Sequence, residues 1–400
     1  MDDIGYKTLS CPVNASTYTI TVYPESNSDY VSEFYAGLAD LHATGVVDLR
    51  FGTRPAHRVR PINEQGILWL EVESAGARRP RRVCFDVFDW HEIASMDDLA
   101  AADIYFKRSY HAPYIGQLDA RLRNKVVPLG LHYACSSRNE TVLMRFRRMF
   151  ALSANCLPDN QGSMRPIARL FASPAALFLR KLGYADSEKS PMFMDAFEVH
   201  PHEPAERKIF YRTRVYSPQD AKDTYRLGRL EEINDMRVDT IRALKGHFGD
   251  RFIGGLRPSP FAKQHYPDCM FPEDRGLRGH LELSKACLIN VSTAGLHDST
   301  SWKIPEYMAA SRCIVSEPLT YETPVPLIEG IHHLAFRTPN ECVRACEELL
   351  GDTEMASHMR EANFAYYVSN VRPAQLMLTS LQATFEHRAD TEDGVLEAAR

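Results

Sequence analysis

The sequence has no uncharged apolar run of the roughly 18 residues that a membrane-spanning helix needs, so any contact with a bilayer would be peripheral. Its first ten residues lack the charged and apolar regions of a secretory signal peptide, and its nine cysteines are scattered without a disulfide framework. These absences predict a cytoplasmic protein in a reducing compartment, with a peripheral position at the inner membrane face as an alternative.

A strong charge of one sign is also missing. The formal net charge is -5, which gives no global reason to expect a nucleic-acid partner. Two pairs of potential metal ligands, Cys342 with Cys346 and His200 with His202, have no further ligands nearby. We therefore interpret the cysteines as core residues and the histidines as linker residues, with no metal site.

The chain is long enough for two domains, since 400 residues exceed what one hydrophobic core normally fills. Its first half alternates strand-like and helical runs. Strands are predicted over 17–23, 46–51, 67–73, 83–89, 103–109 and 126–131, with a helix near 30–42. Strands separated by helical connections predict a doubly wound α/β sheet.

Residues 287–317 are the most informative stretch. They predict a buried strand (287–292), a polar loop (293–303), a short helix (306–310) opened by Pro305, and a second strand (313–316). Polar residues gather where the first strand ends, which is where open α/β sheets bind ligands. Asp298 and Glu306 stand there with seven residues between them.

This stretch resembles the nucleotide-sugar site of group 1 glycosyltransferases with the GT-B fold. The two spaced acids, the small-residue run 307–311 and the strand 313–317 occupy the matching places, although the first acid is usually Glu and here is Asp298. The resemblance implies two Rossmann-like doubly wound domains facing each other across a cleft. The second domain would bind the donor and the first domain the acceptor.

The resemblance also implies residue roles. Glu306 would bind a ribose diol and Asp298 the sugar hydroxyls, while Trp302 would stack on a sugar or base. The backbone N–H groups of Ser299, Thr300 and Ser301 point naturally at an anion. The alternatives are a turn residue for Asp298, a carboxylate complementing a helix N-terminus for Glu306, and half-buried packing for Trp302.

In that family an arginine at the end of the first donor-domain strand and a lysine soon after it clamp the diphosphate. Arg214 occupies the arginine place, with Arg212 two residues earlier on the same strand face. Lys222 comes later than the usual spacing, and Lys263 from another loop is the alternative lysine. A surface ion pair is the alternative for Arg214.

The Asp-X-Asp motif, with which the other major glycosyltransferase fold holds a divalent ion, has no match. Asp86 and Asp89 are too widely spaced, and Asp97 and Asp98 are adjacent at a predicted helix start. We expect no metal and no cofactor, with the nucleotide-diphosphate sugar as co-substrate.

Polar residues also follow two strands of the first half. His91 or Asp89 would contact the acceptor or handle a proton, and capping of a turn is the alternative. Lys107, Arg108 and His111 follow the next strand and offer the same choice.

A basic and apolar segment spans 138–181, with eight Arg or Lys residues against Glu140 and Asp159. It is either a surface for an anionic membrane, suited to a lipid-linked acceptor, or a set of helices whose apolar faces pack on the core while their arginines face water. We favour the second interpretation, because Pro158, Pro166 and Pro174 break the run.

The predicted domains are 1–187 (acceptor side), a linker 188–207, 208–371 (nucleotide-sugar binding), a helix 372–389 that crosses back, and a tail 390–400. The predicted function is a metal-independent, retaining glycosyltransferase of hexosyltransferase type in polysaccharide biosynthesis, acting on a glycan or a lipid-linked acceptor. The alternatives are a nucleotide-sugar epimerase or hydrolase on the same fold, or a catalytically silent nucleotide-sugar-binding scaffold.

Overall fold

A computed structural model describes residues 17–24, 29–53, 66–156, 174–179, 181, 192–220, 224–271 and 276–387. These residues form two β-sheets, one in each half of the chain, with helices packed on both.

The first sheet has six strands in the order β2-β1-β3-β4-β5-β6. The strands are β1 (Tyr18–Tyr23), β2 (Val47–Phe51), β3 (Ile67–Ser74), β4 (Arg81–Asp86), β5 (Ile104–Lys107) and β6 (Val126–Pro128). Five strands run in one direction, and β3 runs antiparallel to both of its neighbours, β1 and β4.

The antiparallel β3 corrects one expectation, because no helix separates it from β4. The two strands are joined by a turn over residues 75–80, in which Gly76 has a positive φ of 89°. That backbone conformation is easy only for glycine. Residues 67–70 at the start of β3 are all buried, so the apolar pattern does not reveal the direction of the strand.

The helices of the first domain lie between and beside these strands. They are α1 (Ser32–Ala43), α2 (Met96–Ala101), α3 (Ala112–Ile115), α4 (Ala120–Arg123) and α5 (Val142–Cys156).

The second sheet is parallel throughout, in the order β11-β10-β9-β7-β8. Its strands are β7 (Glu206–Thr213), β8 (Phe252–Leu256), β9 (Cys287–Ser292), β10 (Cys313–Ser316) and β11 (Leu334–Ala335). The order reverses between β7 and β9. Such a switch point opens a crevice at the carboxyl ends of the strands.

Seven helices of the described residues accompany this sheet or follow it. They are α6 (Thr224–Phe248), α7 (Pro260–His265), α8 (Gly276–Ala286), α9 (Lys303–Ala309), α10 (Pro339–Gly351), α11 (Thr353–Tyr366) and α12 (Pro373–Glu386).

The unit β9, α9 and β10 matches its sequence prediction closely, except at the start of the helix. Helix α9 begins at Lys303, so Pro305 lies within its first turn, where the missing N–H has no helical partner to lose. The helix ends in a Schellman motif: the amide of Ser311 donates to Met308 O and the amide of Arg312 to Tyr307 O, both at 3.0 Å. Ser311 takes the left-handed conformation, with φ 54°.

Helix α12 packs against α1 of the first domain. Leu376, Met377 and Leu381 of α12 belong to the apolar core of the first sheet. A Cβ atom at Gly37 of α1 would lie 2.2 Å from the main-chain oxygen of Pro373, so this approach requires glycine.

A shared apolar core joins the two domains. Leu131 and Tyr133 of the first domain pack with Ile304, Tyr307 and Met308 of α9. The predicted α/β fold class, two Rossmann-like domains facing each other across a cleft, is confirmed. None of the helices in the described part of the chain combines the length and hydrophobicity that crossing a bilayer requires.

Candidate functional site

A cleft of about 710 Å³ lies between the two domains, at the carboxyl ends of β7 and β9. Its wall carries more basic than acidic side chains. The basic ones are Arg108, Arg212, Arg214, Arg237, Arg257 and Lys303, and the acidic ones are Asp29, Asp89 and Glu306. A cleft with this excess of positive charge attracts anions.

Two of the arginines stand at neighbouring strand ends. Arg214 follows the last residue of β7 and Arg257 follows the last residue of β8. The amide of Arg257 donates to Thr213 O at 2.7 Å, which ties the two ends together. Both arginines are exposed. Parallel neighbours thus deliver two guanidinium groups to one edge of the sheet.

Two further arginines are buried behind this edge. Arg212, in β7, donates to Gly276 O at 2.9 Å. Arg237, on α6, donates to Arg214 O at 2.7 Å, to Ala294 O at 2.8 Å and to the hydroxyl of Thr293 at 3.2 Å. All three acceptors of Arg237 are neutral oxygens, so these hydrogen bonds leave its charge available to the cleft.

Lys303 and Glu306 share the first turn of α9, and both face the cleft. The ammonium group of Lys303 donates to the main-chain oxygen of Arg212, which links α9 to β7. Burial and the charge of Arg237 lower the pKa of Lys303 to about 7, while Glu306 opposes the shift. Burial raises the pKa of Glu306 to about 7, against the effect of Lys303.

His280, on α8, completes this cluster. Its Nε2 lies 3.8 Å from a carboxylate oxygen of Glu306. Burial, together with the charges of Lys303 and Arg212, lowers the pKa of His280 to about 3. The imidazole is therefore neutral at pH 7, and the only acid of the cluster is Glu306.

These shifts predict a pH dependence of stability. The pKa of Lys303 falls from 10.5 to about 7 on folding, so the unfolded chain binds more protons there and the free energy of unfolding rises with pH from about 7 to 10.5. The pKa of Glu306 rises from 4.5 to about 7, so its contribution falls as pH rises from 4.5 to about 7. The two contributions together are smallest near pH 7.

We expect the double variant Lys303→Met/Glu306→Gln to gain melting temperature relative to the wild type most strongly near pH 7. The measurement is thermal unfolding of both proteins from pH 5 to 9. His280 remains in both proteins, so its direct titration largely cancels in the difference. A difference that does not change with pH would contradict the prediction.

The opposite wall of the cleft comes from the first domain. Asp89 lies just beyond β4 and forms an ion pair with Arg108, which lies just beyond β5. Arg108 also donates to Thr300 O at 2.7 Å, across the domain boundary. The rings of Tyr30 and Trp302 form a T-shaped contact, with their centroids 4.7 Å apart. The contacts of Arg108 with Thr300 and of Tyr30 with Trp302 therefore join the two walls of the cleft.

The structure brings most of the predicted donor residues together. The cleft wall includes Arg212, Arg214, Ser299, Thr300, Ser301, Trp302 and Glu306. One detail differs from the expectation: the amide of Ser299 donates to Leu296 O at 3.3 Å, so that amide is not free for an anion.

Asp298 is the main departure from the predicted site. It forms an ion pair with Arg229 of α6, and it lines a separate small cavity with Thr293 and Glu317. The chain has positive φ angles at His297 (61°) and Asp298 (56°). Asp298 is therefore paired with Arg229 and is not part of the cleft wall that holds Glu306.

Two other predicted residues lie elsewhere. His91 packs against His111 and Tyr114, each with ring centroids 5.2 Å apart, while its neighbour Asp89 reaches the cleft instead. Lys263 is an exposed residue of α7 and is not part of the cleft wall. Lys222 lies outside the described residues.

The cleft residues that did not enter the predicted site include three cationic side chains and a histidine. Arg257 directly follows a strand, so its position at a strand end could have been noted from the sequence, as that of Arg214 was. Lys303 lies between the two spaced acids. Arg237 and His280 carry no sequence signal, because only packing aims their side chains at the cleft.

Within the described residues, no group of three or more His, Cys, Asp or Glu side chains is placed to hold a metal ion. Arginine and lysine are the charged groups that this cleft offers to an anion.

No protein-family model matches the chain, and no curated protein matches it. The solved structures that have a distant similarity to it include the following three. One is the C-terminal domain of a glycosyl transferase group 1 family protein (LpcC) from Francisella tularensis, with 12% sequence identity and a TM-score of 0.27, covering 42% of this chain and 87% of that one. Another is Anabaena Alr3699/HepE in complex with UDP, with 10% identity and a TM-score of 0.32, covering 70% of this chain and 85% of that one. The third is S. aureus MnaA with UDP, with 10% identity and a TM-score of 0.39, covering 92% of this chain and 95% of that one.

Proposed function

We propose that the protein is a metal-independent glycosyltransferase that moves a sugar from a nucleotide-diphosphate sugar to a glycan or a lipid-linked acceptor. The observation that carries the proposal is the excess of arginine and lysine over acids in the interdomain cleft, at the strand ends where the order of the second sheet reverses. A diphosphate is the common metabolite group whose charge fits such a wall.

The chemistry gives these cations a defined part. The bond between the anomeric carbon and the phosphate oxygen breaks, and the acceptor oxygen forms a new bond to that carbon. Negative charge then builds on the departing diphosphate. Arg214, Arg257 and Lys303 would stabilise this charge, and each well-placed donor can be worth about 3 kcal/mol in the transition state.

Lys303 would respond to the ligand itself. A dianion next to its ammonium group raises the pKa from about 7, so binding draws a proton onto the amine. The wall thereby gains positive charge when the diphosphate arrives. Without the diphosphate, a partly neutral Lys303 reduces the repulsion among the neighbouring cations.

Glu306 would bind the ribose diol from the same helix turn, as expected from the family resemblance. We propose no direct sugar contact for Asp298, because Arg229 holds it outside the cleft wall. On the acceptor side, Asp29 and Asp89 face the space where the acceptor would lie. We propose a hexosyl transfer that retains the anomeric configuration, in which a departing phosphate oxygen takes the proton of the acceptor hydroxyl.

We place the reaction in the cytoplasm, as part of polysaccharide biosynthesis. Seven cysteines of the described residues are free, buried thiols, which suits a reducing compartment.

The test is thermal unfolding in the presence of nucleoside diphosphates, their sugar conjugates and the matching nucleosides. A ligand at 100 times its Kd stabilises the folded state by about 2.7 kcal/mol. We expect at least one diphosphate to raise the Tm by several degrees, and its nucleoside to have little effect. If no diphosphate or nucleotide sugar stabilises the protein, the proposal is wrong.

Product analysis with the best donor then identifies the reaction. Transfer appears as a glycosylated acceptor, whereas an epimerised donor or a free sugar would replace the proposal by an epimerase or a hydrolase. Binding without any turnover would favour a silent scaffold.

A further inference from the structure

Helix α5 buries two arginines and exposes several large apolar side chains. Its charged residues Arg145 and Arg148 point inward and are buried, at 9% and 6% exposure. Both form ion pairs with Glu140, which is also buried, and the Arg148–Glu140 distance is 3.0 Å. Met149 is buried and Arg147 is exposed, as in the interpretation favoured from the sequence. Arg145 and Arg148 depart from that interpretation, because they are buried and do not face water.

The outward side of α5 is apolar. Leu143 and Phe150 are each 56% exposed, and Val142 and Phe146 are exposed as well. We call these four residues the α5 apolar face. They recur at positions i, i+1, i+4 and i+8, which place them on one side of a helix. Single exposed apolar residues are normal on protein surfaces, but a contiguous group marks an interaction site.

A second exposed apolar pair lies close by in space. Phe178 and Leu179 are 53% and 43% exposed, and they precede Lys181. The ammonium group of Lys181 donates to Arg138 O at 2.8 Å, which brings this segment to the start of α5. Six of the ten large apolar side chains recorded as exposed in the described residues therefore belong to one region of the first domain.

The rim of this region is basic. Arg147 lies among the apolar residues of α5 and is exposed, and so are Arg138 and Lys181. Arg138 forms an ion pair with Asp195, while no acid pairs with Arg147 or Lys181 among the recorded ion pairs. An apolar face with a positively charged rim is complementary to a bilayer that contains anionic lipids.

The buried ion pairs explain how the helix keeps this orientation. Burial alone would raise the pKa of Glu140, but Arg148 and Arg145 outweigh it and hold the pKa below its usual value, so the carboxylate stays charged. Rotating α5 to bury its phenylalanines would expose this pair and break its contacts. The cation of Arg148 also lies 4.2 Å from the ring centroid of Tyr35 on α1.

We propose that the α5 apolar face, with Phe178 and Leu179, docks the first domain on the surface of an anionic lipid bilayer. A second copy of this chain is the less favourable partner, because a symmetric contact would set the same basic rim against itself. The proposal does not depend on what binds in the cleft, so it can fail while the proposed function holds.

The experiment is flotation of the full-length protein with vesicles of phosphatidylcholine alone or with 30% phosphatidylglycerol. The wild type is expected to float with the anionic vesicles about 10-fold more than with the neutral ones. The variant Phe146→Ser/Phe150→Ser should lose at least about 10-fold of that binding. In 1 M NaCl the binding should fall, because salt screens the basic rim.

The matched control is Val325→Ser/Ile328→Ser. These residues are similarly exposed, at 45% and 50%, but lie between β10 and β11 of the second domain. This control should float like the wild type, and thermal unfolding should show that both variants fold. The proposal is overturned if the wild type does not float, or if both variants lose binding equally. It is also overturned if light scattering shows a dimer that only the α5 variant disperses and flotation is absent.

Discussion

Replacing Lys303 by methionine is expected to lower sugar transfer by about 100- to 1,000-fold while the fold remains intact. The ammonium group lies in the wall of the cleft, on the same helix turn as Glu306, and donates to the main-chain oxygen of Arg212. Methionine has a similar length and apolar stem, so it fills the same space without the charge. The cost of keeping an amine out of water disappears, and the variant should melt at the same temperature as the wild type or higher.

The readout combines kcat/KM for the best donor with thermal unfolding. The matched control is Lys285→Met, since Lys285 also donates to a main-chain oxygen, that of Ala196 at 2.9 Å, but is not part of the cleft wall. The control should keep its activity and lose some stability. Full activity in Lys303→Met would remove this lysine from the proposed site, as would an equal loss of activity in the control.

The double variant Arg214→Ala/Arg257→Ala is expected to bind nucleoside diphosphates about 100-fold more weakly, which corresponds to about 2.7 kcal/mol. Both guanidinium groups are exposed at adjacent strand ends, and Arg214 has only the hydroxyl of Tyr216 as a recorded side-chain acceptor, at 3.4 Å. Their removal takes two cations from the wall and leaves the apolar core untouched. The dependence of Kd on salt should also become weaker, because fewer charges meet the ligand.

Isothermal titration at two salt concentrations measures both effects. Arg242→Ala serves as the control, since Arg242 is an exposed arginine of the same domain that pairs with Asp268 at 2.8 Å, away from the cleft. It should bind nucleotide with unchanged affinity. Unaltered affinity in the double variant would place the diphosphate elsewhere in the molecule.

Local sequence was sufficient to predict the bounds of an element where its hydrophobic pattern is clear. Strands β9 and β10 end where they were predicted, because each is a mainly apolar run that is followed by polar residues and buried throughout. The start of α9 was misplaced by three residues, since proline is tolerated anywhere in a first helical turn, and its presence there does not mark the first residue.

The direction of a strand and the surroundings of a side chain could not be predicted from local sequence, because both depend on the tertiary structure. The composition of β3 is the same whether its neighbours are parallel or antiparallel, and only the turn at Gly76 decides. The spacing of Asp298 and Glu306 is a property of the chain, yet the positive φ angles at His297 and Asp298 direct one acid to Arg229 and leave the other in the cleft.

The sequence by itself determined two α/β domains, the strand, loop, helix and strand unit of the second domain, and the positions of Arg212, Arg214 and Glu306 at its strand and helix ends. These follow from hydrophobic periodicity and from the rule that parallel strands end at one edge. Only the tertiary structure decided that Lys303, Arg237 and Arg257 converge on the same cleft, and that α5 buries Arg145 and Arg148 and exposes Phe146 and Phe150. The surroundings of a side chain depend on residues distant in sequence, such as Tyr35 for Arg148, so a local pattern cannot predict them.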